Sequence, residues 1–476
     1  MKFIFFLFLT PLVNDSVKAD DLPTLGDTND SIISKIERKH LGRSIVYGLK
    51  KTDKYLKDLV VEDYIKQIGY LLVSNSPVAG QAVEFFMVND NSLNAFALPG
   101  GFIGVHTGLI NKVRSESELA SVLAHEIAHV SQKHIARMIA GQKRAGMASM
   151  AAVAIAILAS RSGGDASMAT LGAAQAGVIQ SQLDYSREYE READRVGLKI
   201  LAKSSFDQHA VESFLKFMQK TTESSSSVVP SYMRTHPFFY ERLSDIQNRL
   251  QNRPYQQVPD SIEFLLIQAR LKSMSMLPEE SVKRFKLDLS EKNYTNELAT
   301  LYGLTFSLMR ARDYDGAHKL VNSLFNLSKG HPIVTELVGL VAIKRGFIEE
   351  GLGHFQKALT DFPNKLSLID AYAKSLIECG KAKMAVEFLD SVSFKFRTES
   401  RIFELQSKGN SMLGNKLLQH RAQAEAYFHR GELALAIQQL ELARSTGGGN
   451  YFEKSSIDAR MKEFIKIRND WRGTGS

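Results

Sequence analysis

His125-Glu126-Ile127-Ala128-His129 is the run of residues in this chain best equipped for chemistry. It sits within the apolar spacing Leu119, Val122, Leu123, Ile127 and Val130, which predicts a helix with one buried face. On a helix, imidazoles at i and i+4 stand one turn apart on the same side, where they can share a Zn²⁺ ion; Glu126 points to the adjacent side, where it can act on a metal-bound water. Zinc lowers the pKa of its water from about 15.7 to about 7, so a carboxylate can take the proton at neutral pH. These are most of the parts of a metalloprotease.

A catalytic zinc needs a third protein ligand and an open fourth position. A metzincin would place a third His where Ile135 stands and a Gly where Gln132 stands, so that solution fails here. His134 is out of that register and reads as a surface residue or as a neighbour of a ligand. Downstream, Tyr189-Glu190-Arg191-Glu192-Ala193-Asp194-Arg195 lies on a second helix expected from Gln182 to Ser204. Glu190 and Asp194 are i and i+4, so one carboxylate can ligate the metal while the other accepts the N–H of a ligating imidazole. Glu188 and Glu192 are rivals for the ligand. Spacing favours Glu190, because Glu192 has Val196 at its i+4 position and Glu188 pairs only with Glu192.

The elements that must position these groups follow from periodicity. From Asp30 to Val73 the spacing is mostly helical; Val83–Val88, Ala95–Leu98 and Phe102–Val105 read as short strands around the Pro99-Gly100-Gly101 turn. Asn94–Leu98 is a candidate sheet edge to which an extended peptide can add as another strand, a mode that favours unfolded chains. A long amphipathic helix is expected from Ser117 to Gln142. Ala145–Ser160 reads as a buried helix or a flap over the site, being too short and too weakly apolar to cross a bilayer. Ser224–Ser227 reads as a flexible loop leading to His236-Pro237, and Asn252–Asp260, with Pro254 and Pro259, as a linker.

Beyond that linker the chain repeats. Ala317, Gly351 and Ala385 are 34 residues apart, each followed four residues on by Val321, Phe355 or Leu389. A further copy at Ala436, Leu440 and Ala443 comes 51 residues later, which calls for an extra helix near Arg401–Ser411. The period and the small/large alternation resemble the tetratricopeptide repeat, a stack of helix pairs that supplies a binding surface rather than chemistry.

The 476 residues are 44% hydrophobic, which excludes disorder as the main state, and the single Cys379 excludes an internal disulfide. A net charge of +8 is spread along the chain, with no nucleic-acid-binding motif behind it. Lys2, the apolar run Phe3–Val13 and the small Ala19 have the layout of a cleaved secretory signal.

Asn94-Ala95-Phe96-Ala97-Leu98-Pro99-Gly100-Gly101, then His125-Glu126-x-x-His129, then Ser186-Arg187 before Glu190-x-x-x-Asp194, then Thr235-His236-Pro237 with Arg242, resemble the HtpX-like zinc peptidases, gluzincin relatives of the CAAX prenyl proteases. The resemblance implies one Zn²⁺ held by His125, His129 and Glu190, with Glu126 as general base and acid and Asp194 behind the ligands. It also implies that His236 lies near the zinc, either aiding the oxyanion or occupying the fourth coordination position, and that Arg242 supports the oxyanion. The signal-like start and the repeats resemble a branch of that family found in the periplasm of Gram-negative bacteria. That likeness implies unfolded or stalled outer-membrane β-barrel proteins as clients, docking to the outer-membrane assembly machinery through the repeats, and peripheral membrane contact.

The expected architecture is an α+β zincin-type metalloprotease domain followed by an all-α tetratricopeptide-repeat-like solenoid: residues 1–19 signal peptide, 20–253 peptidase, 254–290 linker and connecting helix, 291–476 repeats. The expected activity is that of a zinc metalloendopeptidase. The alternative is a chaperone or adaptor with latent or minor proteolysis.

Overall fold

The computed structural model describes residues 34–141, 187–224, 231–237 and 239–473. The expected signal peptide, the Ala145–Ser160 segment, the start of the Gln182–Ser204 helix and Ser225–Ser227 lie outside the described residues.

The chain enters through α1 (Lys35–Lys50), started by a reciprocal Ser34–Glu37 capping box, and α2 (Leu59–Ser74), capped by Asp58. Strands β1 (Glu84–Val88), β2 (Ala95–Leu98) and β3 (Phe102–His106) form a sheet of order β1-β3-β2. The β1–β3 pair is parallel and the β2–β3 pair antiparallel, with Ala95 opposite Val105 and Leu98 opposite Phe102. β2 is thus an edge strand. Then come α3 (Thr107–Lys112), α4 (Glu116–Ser131), α5 (His134–Gly141), α6 (Arg187–Lys203), α7 (Ala210–Ser224), α8 (Ser231–Thr235) and α9 (Phe239–Leu250).

α4 is the hub. Every residue from Ser117 to His129 is buried, enclosed by α2, β2, α6 and α7. Such burial demands a partner for each polar side chain the helix carries. Gly197 brings α6 close: a Cβ there would lie 3.3 Å from the His125 backbone N.

The single helix expected from Ser117 to Gln142 is two. α4 stops at Ser131, Lys133 takes a left-handed conformation with φ 53°, and α5 starts at His134. Left-handed backbone costs a non-glycine residue about 1–2 kcal/mol, so it persists only where the surroundings compensate. Here the reversal sets His134 where its ring stacks on Tyr189 and its nitrogens meet His129 and Glu192.

The second half is helical throughout: α10 (Ile262–Met274), α11 (Pro278–Ser290), α12 (Glu297–Arg310), α13 (Tyr314–Ser328), α14 (Pro332–Lys344), α15 (Ile348–Asp361), α16 (Leu366–Glu378), α17 (Ala382–Ser393), α18 (Ser400–Met412), α19 (Lys416–His429), α20 (Leu433–Ser445) and α21 (Tyr451–Gly473). Alternate helices begin at Ile262, Glu297, Pro332, Leu366, Ser400 and Leu433, 33 to 35 residues apart. Two details differ from expectation. Residues 262–290 form a helical hairpin in phase with the repeats, not one connecting helix. The helix near Arg401 is no insertion but the first member of a regular pair, completed by α19. Gly351 lies where α15 meets α14, and a Cβ there would fall 2.6 Å from the Gly339 carbonyl oxygen.

The halves share one core, which runs from Val60 and Tyr64 through Leu123 to Phe264, Tyr302 and Val341. Polar ties reinforce it. Glu116 accepts from the Ser261 backbone N–H and hydroxyl, Gln268 donates to the Ile110 and Val113 carbonyls, Arg270 binds Asp58, and the Ser367 N–H donates to Asp63. The repeats are therefore docked on the first half through α2 and α3 rather than tethered to it. Among the described residues no helix is long and apolar enough to cross a membrane.

Candidate metal centre

Helical geometry sets the first two groups. His125 and His129 share one side of α4, with their Nε2 atoms 3.0 Å apart. α6, held close at Gly197, delivers Glu190: its Oε2 is 3.3 Å from His125 Nε2 and its Oε1 3.5 Å from His129 Nε2. His236, just after α8, completes the cluster with Nδ1 3.3 Å from His125 Nε2 and 3.1 Å from Glu190 Oε1. Four potential ligand atoms thus lie within 4.8 Å of one another, and all four residues are buried.

These separations fit zinc. Two ligand atoms about 2.05 Å from a tetrahedral ion stand about 3.3 Å apart, and three imidazoles with one carboxylate suit its borderline character. Of the three candidate glutamates, Glu190 enters the cluster; Glu188 is exposed, and Glu192 faces His134 and Arg137 instead.

Electrostatics explains how charge survives here. Burial works against ionisation of Glu190, but His236 and Arg242 beside it hold its carboxyl well below the usual carboxylate range. Asp194 is likewise held low against its burial, chiefly by Arg242. Arg242 Nε and Nη2 donate to the two Asp194 oxygens at 2.8 and 2.7 Å, and Nη1 is 2.9 Å from Glu190 Oε2. All three Arg242 nitrogens are thus engaged with the two carboxylates.

Asp194 also receives His125, whose Nδ1 is 2.9 Å from Oδ1. Arg242 Nη2 comes near the same nitrogen, at 3.4 Å, but the shorter contact to a carboxylate that can only accept puts the proton on Nδ1 and leaves Nε2 facing the cluster.

Glu126 is fully buried, and neither of its carboxylate oxygens has a hydrogen bond among the described residues. His236 Nε2 comes to 3.3 Å of Oε1 without hydrogen-bond alignment. Burial pushes the Glu126 carboxyl up, against the pull of His236 and His125. An orphaned buried carboxylate beside a metal-type cluster is what a group awaiting a water looks like.

Sequence reasoning undervalued His134, whose side chain is wholly buried with Nδ1 2.7 Å from His129 Nδ1. No Gly or Pro marks the break before it, so nothing local announces that the chain turns His134 back toward His129. It also missed Tyr232, which lies against the His236 ring at 4.6 Å and donates its N–H to the Leu93 carbonyl. Through that bond the segment carrying His236 is fastened to the residues leading into β2.

Residues 60–250 match the model of Peptidase family M48. A "Beta-barrel assembly-enhancing protease" of Escherichia coli (strain K12) is 29% identical over 468 residues, covering 98% of this chain and 95% of that protein. A protein of the same name from Yersinia pestis is 28% identical over 456 residues, 95% of this chain and 93% of that one. The mitochondrial metalloendopeptidase OMA1 of Arabidopsis thaliana is 28% identical over 216 residues, 45% of this chain and 41% of that protein.

Proposed function

We propose, on the premise that the match of residues 60–250 to Peptidase family M48 and the full-length likeness to the bacterial relatives make this chain a zinc metalloendopeptidase of that family, that it cuts unfolded or stalled outer-membrane β-barrel proteins in the periplasm of a Gram-negative bacterium. The names of the two bacterial relatives and the signal-like layout of residues 1–19 support the setting. The observation that carries the chemistry is the convergence of His125, His129, Glu190 and His236 around a space of zinc dimensions, beside an unbonded Glu126.

In this reading His125, His129 and Glu190 would hold the ion, which when bound would supply Lewis acidity toward a water and the scissile carbonyl. Glu126 takes a proton from the attacking water and returns it to the departing amine, a role helped by a carboxyl that burial has made more basic. Asp194 and Arg242 keep the ligands aimed and balance their charge. β2, paired on one side only among the described residues and packed against α4, offers its other edge to an extended peptide beside the metal site. Backbone pairing of that kind spares folded proteins.

His236 acts as a latch. With its Nδ1 in the ligand cluster it would fill, on a bound ion, the place that a substrate carbonyl or a water needs, and it would have to swing out before turnover. The closed arrangement also favours a second role in which the docked repeats bind clients or the assembly machinery while proteolysis rests. Casein cleavage and zinc content of the wild type and Glu126→Gln test the reading. Zinc in both proteins, with cleavage lost by about 10²–10⁴-fold in the variant, is the expected result. Cleavage retained in Glu126→Gln would overturn it.

A further inference from the structure

His129 and His134 face each other through their Nδ1 atoms at 2.7 Å, so one must donate and the other accept. The other nitrogen of His134, Nε2, lies 3.2 Å from Glu192 Oε2. A carboxylate can only accept, so the His134 proton facing it is on Nε2. At the other end, His129 can offer Nε2 to a metal only with its own proton on Nδ1, which makes Nδ1–H of His129 the donor across the short contact and Nδ1 of His134 the acceptor. What remains on His129 is the Nε2 lone pair, facing His125 Nε2 at 3.0 Å and Glu190 Oε1 at 3.5 Å.

We propose that His134 and Glu192 are positioning residues for the metal site: they fix the tautomer and ring orientation of His129, as Asp194 does for His125. The inference rests on the metal site proposed above and assigns Glu192, set aside as a ligand, its own task. The rest of the arrangement holds the relay still. The Tyr189 ring stacks on His134 at 4.6 Å and 14°, the Arg137 guanidinium lies 4.7 Å above Tyr189, and Arg137 Nη1 donates to Glu192 at 2.9 Å. The left-handed Lys133 is the hinge that turns His134 under His129. Outer partners of this kind typically change metal affinity by roughly 10–100-fold when removed.

The test measures zinc affinity of the full chain by chelator competition, beside ¹⁵N-histidine NMR and the melting point of the metal-free protein. Wild type should show His129 protonated on Nδ1 without metal. His134→Leu and Glu192→Ala should each weaken zinc roughly 10–100-fold, with the double variant no worse than His134→Leu. His134→Asn, whose amide oxygen can stand in for Nδ1 as acceptor, should recover most of the affinity. A merely structural role would lower the metal-free melting point without moving the tautomer. Zinc affinity equal to wild type in a folded His134→Leu, or an Nε2–H tautomer of His129 in the wild type, would overturn the proposal; if His134→Leu does not fold, Glu192→Ala decides by the same readings. A wild type that binds no zinc yet carries its proton on His129 Nδ1 would defeat the metal-site reading and leave the relay standing.

Discussion

His236 bridges the metal-type cluster and Glu126: its Nδ1 is 3.1 Å from Glu190 Oε1, and its Nε2 is 3.3 Å from Glu126 Oε1. One ring thus fills the space between the metal-type cluster and the base, which is where a substrate carbonyl and a water would have to stand.

His236→Ala should therefore increase casein cleavage. A latch stabilised by about 1–3 kcal/mol would hold activity down roughly 5- to 150-fold, so a gain of that order is expected. A large loss in initial-rate assays would instead make His236 a donor to the transition state.

Arg242 is 3% exposed and bridges two buried carboxylates, its single charge set against both. Arg242→Met should destabilise the metal-free protein by about 3–5 kcal/mol, because Glu190 and Asp194 are left without their cation. Thermal melts with and without a chelator check this. The zinc-loaded variant should lose less, since the ion supplies positive charge to Glu190.

Glu336, on α14, carries a buried Oε2 with no hydrogen bond among the described residues. Burial, then Asp58, Asp370 and Asp63, push its pKa up to about 8 against the opposing pull of Arg270. An acid whose folded pKa is raised keeps a proton that the unfolded chain gives up near 4.5. Its contribution is thus complete below that pH and is lost as pH rises through about 8. Between these limits the melting point of the wild type should fall relative to that of Glu336→Gln. Parallel curves for the two proteins would exclude the effect.

The parts of the site that were legible in the sequence are those set by geometry within one helix. His125, Glu126 and His129 are placed by a single turn of α4, and Glu190 and Asp194 by a single turn of α6. What joins the two helices was legible only as a resemblance, because the approach depends on Gly197 and on the charge balance at Arg242. The reversal at Lys133 gave no warning: Gln132 and Lys133 are ordinary helix formers, and the left-handed turn is imposed by what His134 packs against. In the repeats, the period was visible where small residues mark the helix contact, at Ala317, Gly351 and Ala385. It was lost where the next equivalent position is Gln419, and α19 buries Ala422, Ala424 and Ala426 instead. The α10–α11 hairpin was hidden for a related reason, since its polar contacts serve the peptidase as well as the stack.

The most direct test is the zinc content of the purified wild type and of Glu190→Ala, by mass spectrometry after exhaustive dialysis. The account predicts roughly one zinc per wild-type chain and a small fraction of that in the variant, because the cluster loses its one carboxylate and keeps three imidazoles beside the buried Arg242 cation. A wild type without zinc, or a Glu190→Ala protein that keeps its full complement, would contradict it.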